Sequence, residues 1–324
     1  MTSKRKAESQ ETVFHGEQPC AVVRPGRPPC TNKAYYRLGS SSVLACGVHS
    51  RNAPRRELPV NPNKKANESE QYAEWERAVE ATAAGNRAAG RRGTLTVSKL
   101  RMMRAPEHVD GVRNVFPNNR HQDRRDGFGC ASLSPMRLGP TEHWQPGLPQ
   151  ALSIENYHQF NKVFRREVTP NPADPSQPIV SRAFFEARNK AYLDPQPYRR
   201  KFADEKGQDG NRNIPLFCLH LKASGEEGRY SYVESRYFYC REYERLAKAT
   251  DDFARLRRWL DEGYNLQIVG YDGHPIGSKS LYEHYVDPVV PFGHELVLYT
   301  LLTVERAEDY PWNVYFRENR ERYE

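Results

Sequence analysis

The chain has 324 residues, with 49 Lys and Arg against 41 Asp and Glu, which gives a formal net charge of +8. This length accommodates one substantial domain and a smaller module. No run approaches the ~18 to 20 apolar residues of a membrane-spanning helix, and the N-terminus lacks the apolar core of a signal peptide. We therefore expect a soluble, intracellular protein without membrane contact, and its six scattered cysteines exclude a disulfide scaffold.

Basic charge is concentrated in the N-terminal part of the chain. Residues 1–126 contain 23 Lys and Arg against 13 Asp and Glu, whereas residues 127–324 contain 26 against 28. This excess suits an anionic partner such as nucleic acid. A solubilising disordered tail would carry the same excess, so the composition leaves both interpretations open.

The first residues, 1–17, are polar and charged and are predicted to form a disordered basic tail. The following segment, 18–50, is predicted to be a zinc-binding module because it contains three cysteines and a histidine in the spacing Cys-x9-Cys-x15-Cys-x2-His. These residues are Cys20, Cys30, Cys46 and His49. Three thiolates and an imidazole complete a tetrahedral zinc shell with no open position, which is typical of structural sites. His15 is an alternate ligand, and four unrelated residues in an unfolded tail are the alternative.

A basic linker is predicted over 51–128. It begins with a stretch rich in Pro, Asn and Lys. Residues 68–89 are rich in Glu, Ala and Arg, which indicates a surface helix that ends near Gly90. Residues 100–128 are basic with little apolar periodicity, so we expect them to connect this helix to the main domain.

The main domain is predicted over 129–324, where helical patterns outnumber strand patterns. Helices are expected over 184–192, 232–248, 252–262 and 291–303. Strands are expected over 214–221 and 266–269. This balance predicts an α-rich α+β domain, preceded by the small zinc module and the linker.

The most informative stretch is 153–164, which reads Ser-Ile-Glu-Asn-Tyr-His-Gln-Phe-Asn-Lys-Val-Phe. Interpreted as one helix, it places Glu155, Gln159 and Lys162 on one stripe, with apolar residues on another. Ser153 is a suitable N-cap. A carboxylate and an amine on an anchored helix can act as an acid/base and a nucleophile. The same spacing also occurs on solvated helix faces, so the pattern alone decides neither interpretation.

This stretch resembles the core motif of the NADAR family, roughly Ser-Val-Glu-His-Tyr-x-Gln-x-x-Lys-Phe, whose bacterial members include YbiA-like N-glycosidases. The resemblance extends over about 130–305 with the order of motifs kept. Leu-Ser at 133–134 precedes the core motif. Gly-Tyr-Asp-Gly at 270–273 and an apolar helix at 293–302 follow it, similar to the family's late Trp-Gly-x-Gly region and closing helix. Asn156 stands where the family has His. The zinc segment resembles small Cys/Cys/Cys–His modules of large DNA viruses and some protists.

The resemblance implies a pocket for a ribose attached through an N-glycosidic bond, with Lys162 as nucleophile and Glu155 as acid or base. Cleavage develops positive charge at the anomeric carbon and requires protonation of the leaving base. A lysine amine made neutral by desolvation can form a Schiff base with an open-chain sugar. Family members hydrolyse aminopyrimidine ribose phosphates or remove ADP-ribose from guanine. A hydrolase acting on a ribosylated or ADP-ribosylated base is therefore implied.

Further candidates lie around this pair. Asp272, in a Gly-flanked turn after a strand, is a candidate catalytic residue that assists Glu155 or binds ribose hydroxyls, although Asp-Gly is also a turn former. Gln159, Tyr271 and Ser134 are candidate substrate-binding residues; for Tyr271, stacking on a base and packing in the core are both open. Glu295 interrupts an apolar helix, and helix capping is its favoured interpretation.

Two other classes of protein fit the same sequence. One is a non-catalytic module that binds ADP-ribose, a nucleotide or nucleic acid through the same pocket. The other is a structural, virion-type protein that retains the domain only as a scaffold. A kinase or NTPase is disfavoured because the chain has no Gly-rich phosphate-binding loop.

Overall fold

The structure is a computed structural model, and it divides the chain into two compact units, Met1–Glu74 (unit 1) and Trp75–Glu324 (unit 2). The residues that it describes are 13–14, 17–22, 28–32, 34–39, 43–46, 49, 51, 54–59, 62–101, 106–198, 200, 215–222 and 224–324. Most of the predicted tail 1–17, including His15, lies outside this set. Helices and strands are mixed throughout, which confirms the predicted combination of α and β structure.

Unit 1 contains a small antiparallel sheet in the strand order β2-β1-β3. Its strands are β1 (Tyr36–Leu38), β2 (Leu44–Ala45) and β3 (Arg55–Glu57). Among the described residues of this unit, the buried apolar cluster consists of Ala34, Leu44 and Leu58, with Val13 packed against it. So small a core needs an additional source of stability, and a bound metal is a common one in domains of this size.

Helix α1 (Pro62–Ala88) corresponds to the helix predicted over 68–89, but its part in unit 2 is not a surface helix. Trp75, Val79 and Ala83 are buried at i, i+4 and i+8. The side chain of Asn86 also donates to the carbonyl oxygen of Gly263 at 2.8 Å. The sequence does not reveal this buried stripe, because alanines occur on all faces of the helix. They weaken the contrast between its apolar and polar sides.

Unit 2 contains a parallel four-stranded sheet in the order β4-β12-β5-β6, an antiparallel sheet in the order β11-β10-β7, and a ribbon of β8 and β9. The strands are β4 (Leu95–Lys99), β5 (Val112–Phe116), β6 (Phe128–Gly129), β7 (Lys162–Val163), β8 (Val168–Thr169), β9 (Ile179–Val180), β10 (Phe217–Leu221), β11 (Glu227–Tyr230) and β12 (Asn265–Gly270). The predicted strands 214–221 and 266–269 correspond to β10 and β12.

The predicted linker 51–128 and the domain boundary at 129 differ from the structure, because β4 and β5 belong to the central sheet of unit 2. Strand β12 lies between them, and Ile268 pairs with both Val97 and Val115. Each of the two strands has only five residues, too few for a clear period in a basic background. Their partner lies about 150 residues later in the chain, so no local pattern identifies them.

Several helices accompany the sheets of unit 2. They are α2 (Ile154–Phe160), α3 (Arg182–Tyr192), α4 (Arg236–Lys248), α5 (Asp251–Asp261), α6 (Leu281–Val286), α7 (His294–Thr303) and α8 (Pro311–Glu318). Helices α4 and α7 contribute much of the main apolar core, and α7 is buried on most sides because its sequence is almost wholly apolar. None of the described helices combines the length and the apolar composition needed to cross a bilayer.

The core-motif stretch 153–164 is not a single helix. Ser153 caps α2 as predicted, with its Oγ accepting from the backbone N–H of Asn156 at 3.2 Å. The helix ends at Phe160, and the side chain of Asn161 donates to the carbonyl oxygen of Tyr157 at 3.0 Å. Lys162 then lies in β7, paired with Cys218 of β10. The helical i+7 position predicted for Lys162 is therefore wrong, because pairing with β10 replaces the last helical turn.

Candidate functional site

Three of the predicted site residues, Glu155, Gln159 and Lys162, are joined by their side chains. Gln159 Nε2 donates to Glu155 Oε1 at 3.1 Å, and Lys162 Nζ donates to Gln159 Oε1 at 3.4 Å. All three side chains are buried, with 7 to 9 % of their surface exposed. We call these residues the Glu–Gln–Lys array. The turn into β7 brings Lys162 beside Gln159, a proximity that was predicted to arise from a single helix.

The amide of Gln159 fixes the order of charges within the array. Its oxygen, which only accepts, faces the lysine amine, and its nitrogen, which only donates, faces the carboxylate. Gln159 thus lies between an acid and an amine, and holds each at hydrogen-bond distance. A carboxyl and an amine held this close, and largely withdrawn from water, can exchange protons with a bound substrate at either end.

Aromatic and cationic side chains enclose the lysine end of the array. Lys162 Nζ lies 5.8 Å from the centroid of the Tyr232 ring. Arg200 donates from Nη1 to the carbonyl oxygen of Lys162 at 2.7 Å, and pairs with Glu167. These contacts hold the backbone of β7 where it leaves α2.

Asn156, which replaces the histidine of the core motif, binds backbone rather than facing the array. Its side chain is fully buried, and donates to the carbonyl oxygens of Ala191, Asp194 and Gln196 at 3.0 to 3.1 Å. It also accepts from the backbone N–H of Tyr198 at 2.8 Å. One amide therefore fixes the segment that follows α3.

We expect Asn156→Ala to lower the free energy of unfolding by about 3 kcal/mol, because it leaves several buried backbone groups without partners. Asn189→Ala, at an exposed position of α3, is the matched control and should change it by less than about 0.5 kcal/mol. Urea unfolding followed by circular dichroism measures both. Equal effects of the two variants would show that the Asn156 contacts carry no net stability.

A second group of site residues lies at the carboxyl end of β12, where ligands commonly bind in parallel sheets. Asp272 follows β12 directly, and its backbone N–H donates to Glu295 Oε1 at 3.4 Å. Glu295 is fully buried near the start of α7. Burial raises the pKa of Glu295; His294 opposes this shift and the charge of Asp272 adds to it. Glu295 thus contacts a candidate site residue instead of serving only as a cap.

Tyr239 is a buried residue of α4. Burial raises the pKa of Tyr239 well above its usual value, and the negative charges of Tyr243, Glu155 and Glu295 contribute further. Its ring also lies 4.8 Å from that of His158 on α2. Tyr239 thus packs against the helix that carries Glu155 and Gln159.

Tyr271 and Ser134 occupy different surroundings. The Tyr271 side chain is 43 % exposed, and its hydroxyl lies 3.1 Å from Nε2 of His121. Its ring is therefore accessible for stacking, and it is not part of the core. Ser134 is buried, and its Oγ accepts from the backbone N–H of Met136 at 3.4 Å. That turn precedes α2, and Pro135 accepts from the backbone N–H of Glu155 at 2.9 Å.

Sequence reasoning did not single out Tyr239, Tyr232 or His121, and it favoured a capping role for Glu295. The aromatic residues resemble core residues in a Tyr-rich chain, so no local signal separates them from packing residues. For Glu295 a signal was present. A carboxyl group in the middle of an apolar run indicates a buried polar contact whose partner the sequence does not identify.

A cavity of about 640 Å³ lies at the other end of α7, away from Glu295. Two of the cations that line it have partners: Arg92 donates to Asp261 and to the carbonyl oxygen of Leu302, and Lys248 donates to Glu244. It brings together none of the predicted site residues. We therefore place the candidate site at the Glu–Gln–Lys array rather than at this cavity.

In unit 1, the four predicted metal ligands lie together. The Sγ atoms of Cys20, Cys30 and Cys46 and the ring nitrogen of His49 are all within 4.8 Å of one another. Cys20 Sγ lies 3.2 Å from Nδ1 of His49, and Cys30 Sγ lies 3.9 Å from Cys46 Sγ. Four-coordinate zinc with these ligands has S–N edges of about 3.6 Å and S–S edges of about 3.8 Å, given bond lengths of about 2.0 to 2.3 Å. The cluster is thus compatible with a tetrahedral metal site.

Neighbouring N–H groups point at the sulfur atoms. The backbone N–H of Cys46 lies 3.3 Å from Cys20 Sγ, and Asn32 Nδ2 lies 3.7 Å from Cys46 Sγ. Such donors stabilise thiolates and orient metal ligands. Two of the three cysteines are buried, which protects the sulfur atoms from water.

Comparisons of the chain with protein-family models, curated proteins and solved structures found no match.

Proposed function

We propose that this protein is a divergent NADAR-like hydrolase that cleaves the N-glycosidic bond of a ribosylated or ADP-ribosylated base at the Glu–Gln–Lys array. One observation supports this proposal above all: a buried amide joins a buried carboxyl group to a buried amine. A general ligand-binding pocket has no need of that combination. It is the combination that departure of a base and capture of the sugar both require.

In the proposed reaction, Glu155 donates a proton to the leaving base as the bond between that base and the anomeric carbon breaks. The Lys162 amine adds to the anomeric carbon, and opening of the ring gives an imine. Water then hydrolyses the imine, releasing the sugar as an aldehyde and regenerating the amine. Overall, one water molecule is consumed for each bond that is cleaved. Gln159 holds the two reacting groups apart until substrate enters.

The remaining site residues have supporting roles in this proposal. Asp272 binds ribose hydroxyls or strengthens the acid function of Glu155. The ring of Tyr271 stacks on the base, since it is open to solvent. Ser134 shapes the substrate side of α2 through the turn that precedes it.

The test of this function uses two substrates, a DNA oligonucleotide with ADP-ribosylated guanine and a ribosylaminopyrimidine phosphate. Each is incubated with wild-type protein and with Glu155→Gln, and products are identified by mass spectrometry. Release of the free base by wild type alone supports the proposal and selects the substrate. Binding of ADP-ribose without release would favour a non-catalytic reader, and absence of both would favour a structural protein.

For unit 1, the proposed metal is Zn²⁺ in a structural role. Three thiolates and one imidazole are the donor set that zinc prefers, and they leave no position for a substrate. The metal would supply the stability that the small apolar cluster of this unit lacks.

The proposed partner of unit 1 is nucleic acid, which would bring the hydrolase to a modified base. Arg37 and Arg56 are directly opposite each other in the pairing of β1 with β3, which places two cations side by side on the sheet. Arg55 lies 4.5 Å from the centroid of the Tyr36 ring, which combines a cation with an aromatic surface suited to bases. Charged residues on β3 can be explained by its position at the edge of the sheet, where charges prevent pairing with other chains. This explanation does not apply to Arg37, because β1 is the central strand.

We expect Arg55→Ala combined with Arg56→Ala to weaken binding of the full chain to a single-stranded oligonucleotide. Loss of two phosphate contacts should reduce the slope of log affinity against log salt by about 1.4. Arg182→Ala combined with Arg258→Ala, at exposed positions of unit 2, changes the net charge equally and is the control. Fluorescence anisotropy at several salt concentrations measures both. Equal weakening by the two double variants would indicate attraction by net charge alone.

A further inference from the structure

The carboxyl group of Glu295 occupies a space that two glycines create. A Cβ atom at Gly270 would lie 1.8 Å from Glu295 Oε1, and a Cβ atom at Gly293 would lie 2.8 Å from Oε2. Neither position could therefore carry a side chain without displacing this carboxyl. Gly270 ends β12 and Gly293 caps α7, so the backbone on both sides of the Asp272 turn closes around one acid.

The surroundings of Glu295 Oε2 offer it no hydrogen bond. This buried atom lies 3.2 Å from His294 Nδ1, but among the described residues it has no partner with hydrogen-bond geometry. His294 Nε2 instead lies 2.9 Å from the carbonyl oxygen of Pro117, which orients the ring. An ionised carboxylate oxygen that is buried without a donor costs more free energy than a neutral acid. This geometry therefore favours the protonated form of Glu295.

The groups that face Glu295 from neighbouring elements favour the neutral acid. Asp272, after β12, carries a negative charge near it. Tyr239 and Tyr243, on α4, are buried phenols whose pKa values are themselves raised by burial. His294 and the backbone N–H groups of Glu295 and Asp272 oppose protonation of the acid. Burial and Asp272 therefore act together on a carboxyl group with no exposed surface.

We propose that Glu295 is a positioning residue which, as a neutral carboxylic acid, anchors the Asp272 turn at the carboxyl end of β12. This inference rests on the proposed function, because it assigns Glu295 a role through Asp272. The bond from the Asp272 backbone N–H to Oε1 is the direct contact. The neutral acid adds no charge of its own, so Asp272 and Glu155 are the two carboxyl groups left to act on the substrate.

The test compares Glu295→Gln, which keeps the shape of the neutral acid, with Glu295→Ala, which removes the anchor. Glu305→Gln, at an exposed position, is the control. We expect kcat of Glu295→Gln to stay within about twofold of wild type. For Glu295→Ala we expect kcat to fall by more than about tenfold, with a smaller change in KM. Equal kcat values for the Gln and Ala variants would overturn the positioning role.

Two readouts do not depend on catalysis. The infrared difference spectrum between wild type and Glu295→Gln should contain the carbonyl band of a protonated carboxyl group at neutral pH; a carboxylate band would overturn the proposal. In addition, the pKa of Glu295 is raised on folding from its ordinary value of 4.5. Wild type must therefore lose stability relative to Glu295→Gln as the pH rises above 4.5. A pH-independent difference in Tm would contradict this.

These readouts distinguish failure of the proposed function from failure of the proposed role of Glu295. Absence of turnover in wild-type protein would overturn the proposed function, and the positioning role with it. The infrared band and the pH dependence of Tm would still establish whether Glu295 is neutral. If Glu295→Ala fails to fold, the Gln variant and its pH profile decide the question.

Discussion

Replacing Lys162 by methionine is expected to reduce the rate of N-glycosidic cleavage by roughly 10³-fold or more, because the nucleophile is removed. Methionine retains most of the apolar stem, so the space beside the Tyr232 ring stays filled. Steady-state kinetics on the substrate selected by mass spectrometry give the change in kcat. The affinity for ADP-ribose, measured by calorimetry, should change by less than about tenfold. The amine is expected to form a covalent bond with the sugar during the reaction and to contribute little to binding.

Lys190→Met is the matched control, because Lys190 is an exposed lysine on α3. It should leave kcat and ADP-ribose binding unchanged. A Lys162→Met protein that retained wild-type kcat would exclude the proposed imine. In that case Glu155 alone would have to activate water, and the Glu–Gln–Lys array would be a binding feature.

Removal of metal is expected to unfold unit 1 while unit 2 keeps its Tm. Structural zinc contributes roughly 10 to 16 kcal/mol to the folding of small modules, and the described apolar cluster of unit 1 is far too small to replace it. Chelation, or Cys46→Ser, should therefore collapse the dispersed amide signals of Tyr36 and Ala45, which are paired in the sheet of unit 1. Heteronuclear NMR follows these signals, and calorimetry follows unit 2.

The control for this experiment is restoration of the metal. Addition of Zn²⁺ after chelation should restore the amide signals, whereas Mg²⁺ should not, because thiolates are poor ligands for it. Elemental analysis should find one zinc ion per chain. Unchanged signals in chelator would argue against a structural metal. A lower Tm of unit 2 would argue against the independence of the two units.

Local signals in the sequence predicted the parts of the fold that depend on neighbouring residues. Ser153 as the N-cap of α2 follows from its hydroxyl and the helical pattern after it. The proximity of Cys20, Cys30, Cys46 and His49 follows from their residue types and spacing, which are typical of metal ligands. These features depend on chemistry within one or two turns of the chain, or on a donor set that is rare by chance.

The features that the sequence did not reveal depend on distant partners. Strands β4 and β5 form because β12 lies between them, and their own residues carry little strand periodicity. Lys162 reaches Gln159 from a strand because Cys218 of β10 pairs with it, which no helical periodicity anticipates. The contact between Glu295 and Asp272 likewise joins the end of a strand to the start of a helix.

The most direct test of the account is reductive trapping on Lys162. Wild-type protein is incubated with the ADP-ribosylated oligonucleotide or the ribosylaminopyrimidine phosphate in the presence of borohydride, and intact and peptide masses are measured. The account predicts release of the base, together with a reduced sugar adduct on the peptide that contains Lys162 and none in Lys162→Met. Release of the base without any adduct, or an adduct on a different lysine, would contradict the assignment of the Glu–Gln–Lys array as the reacting centre.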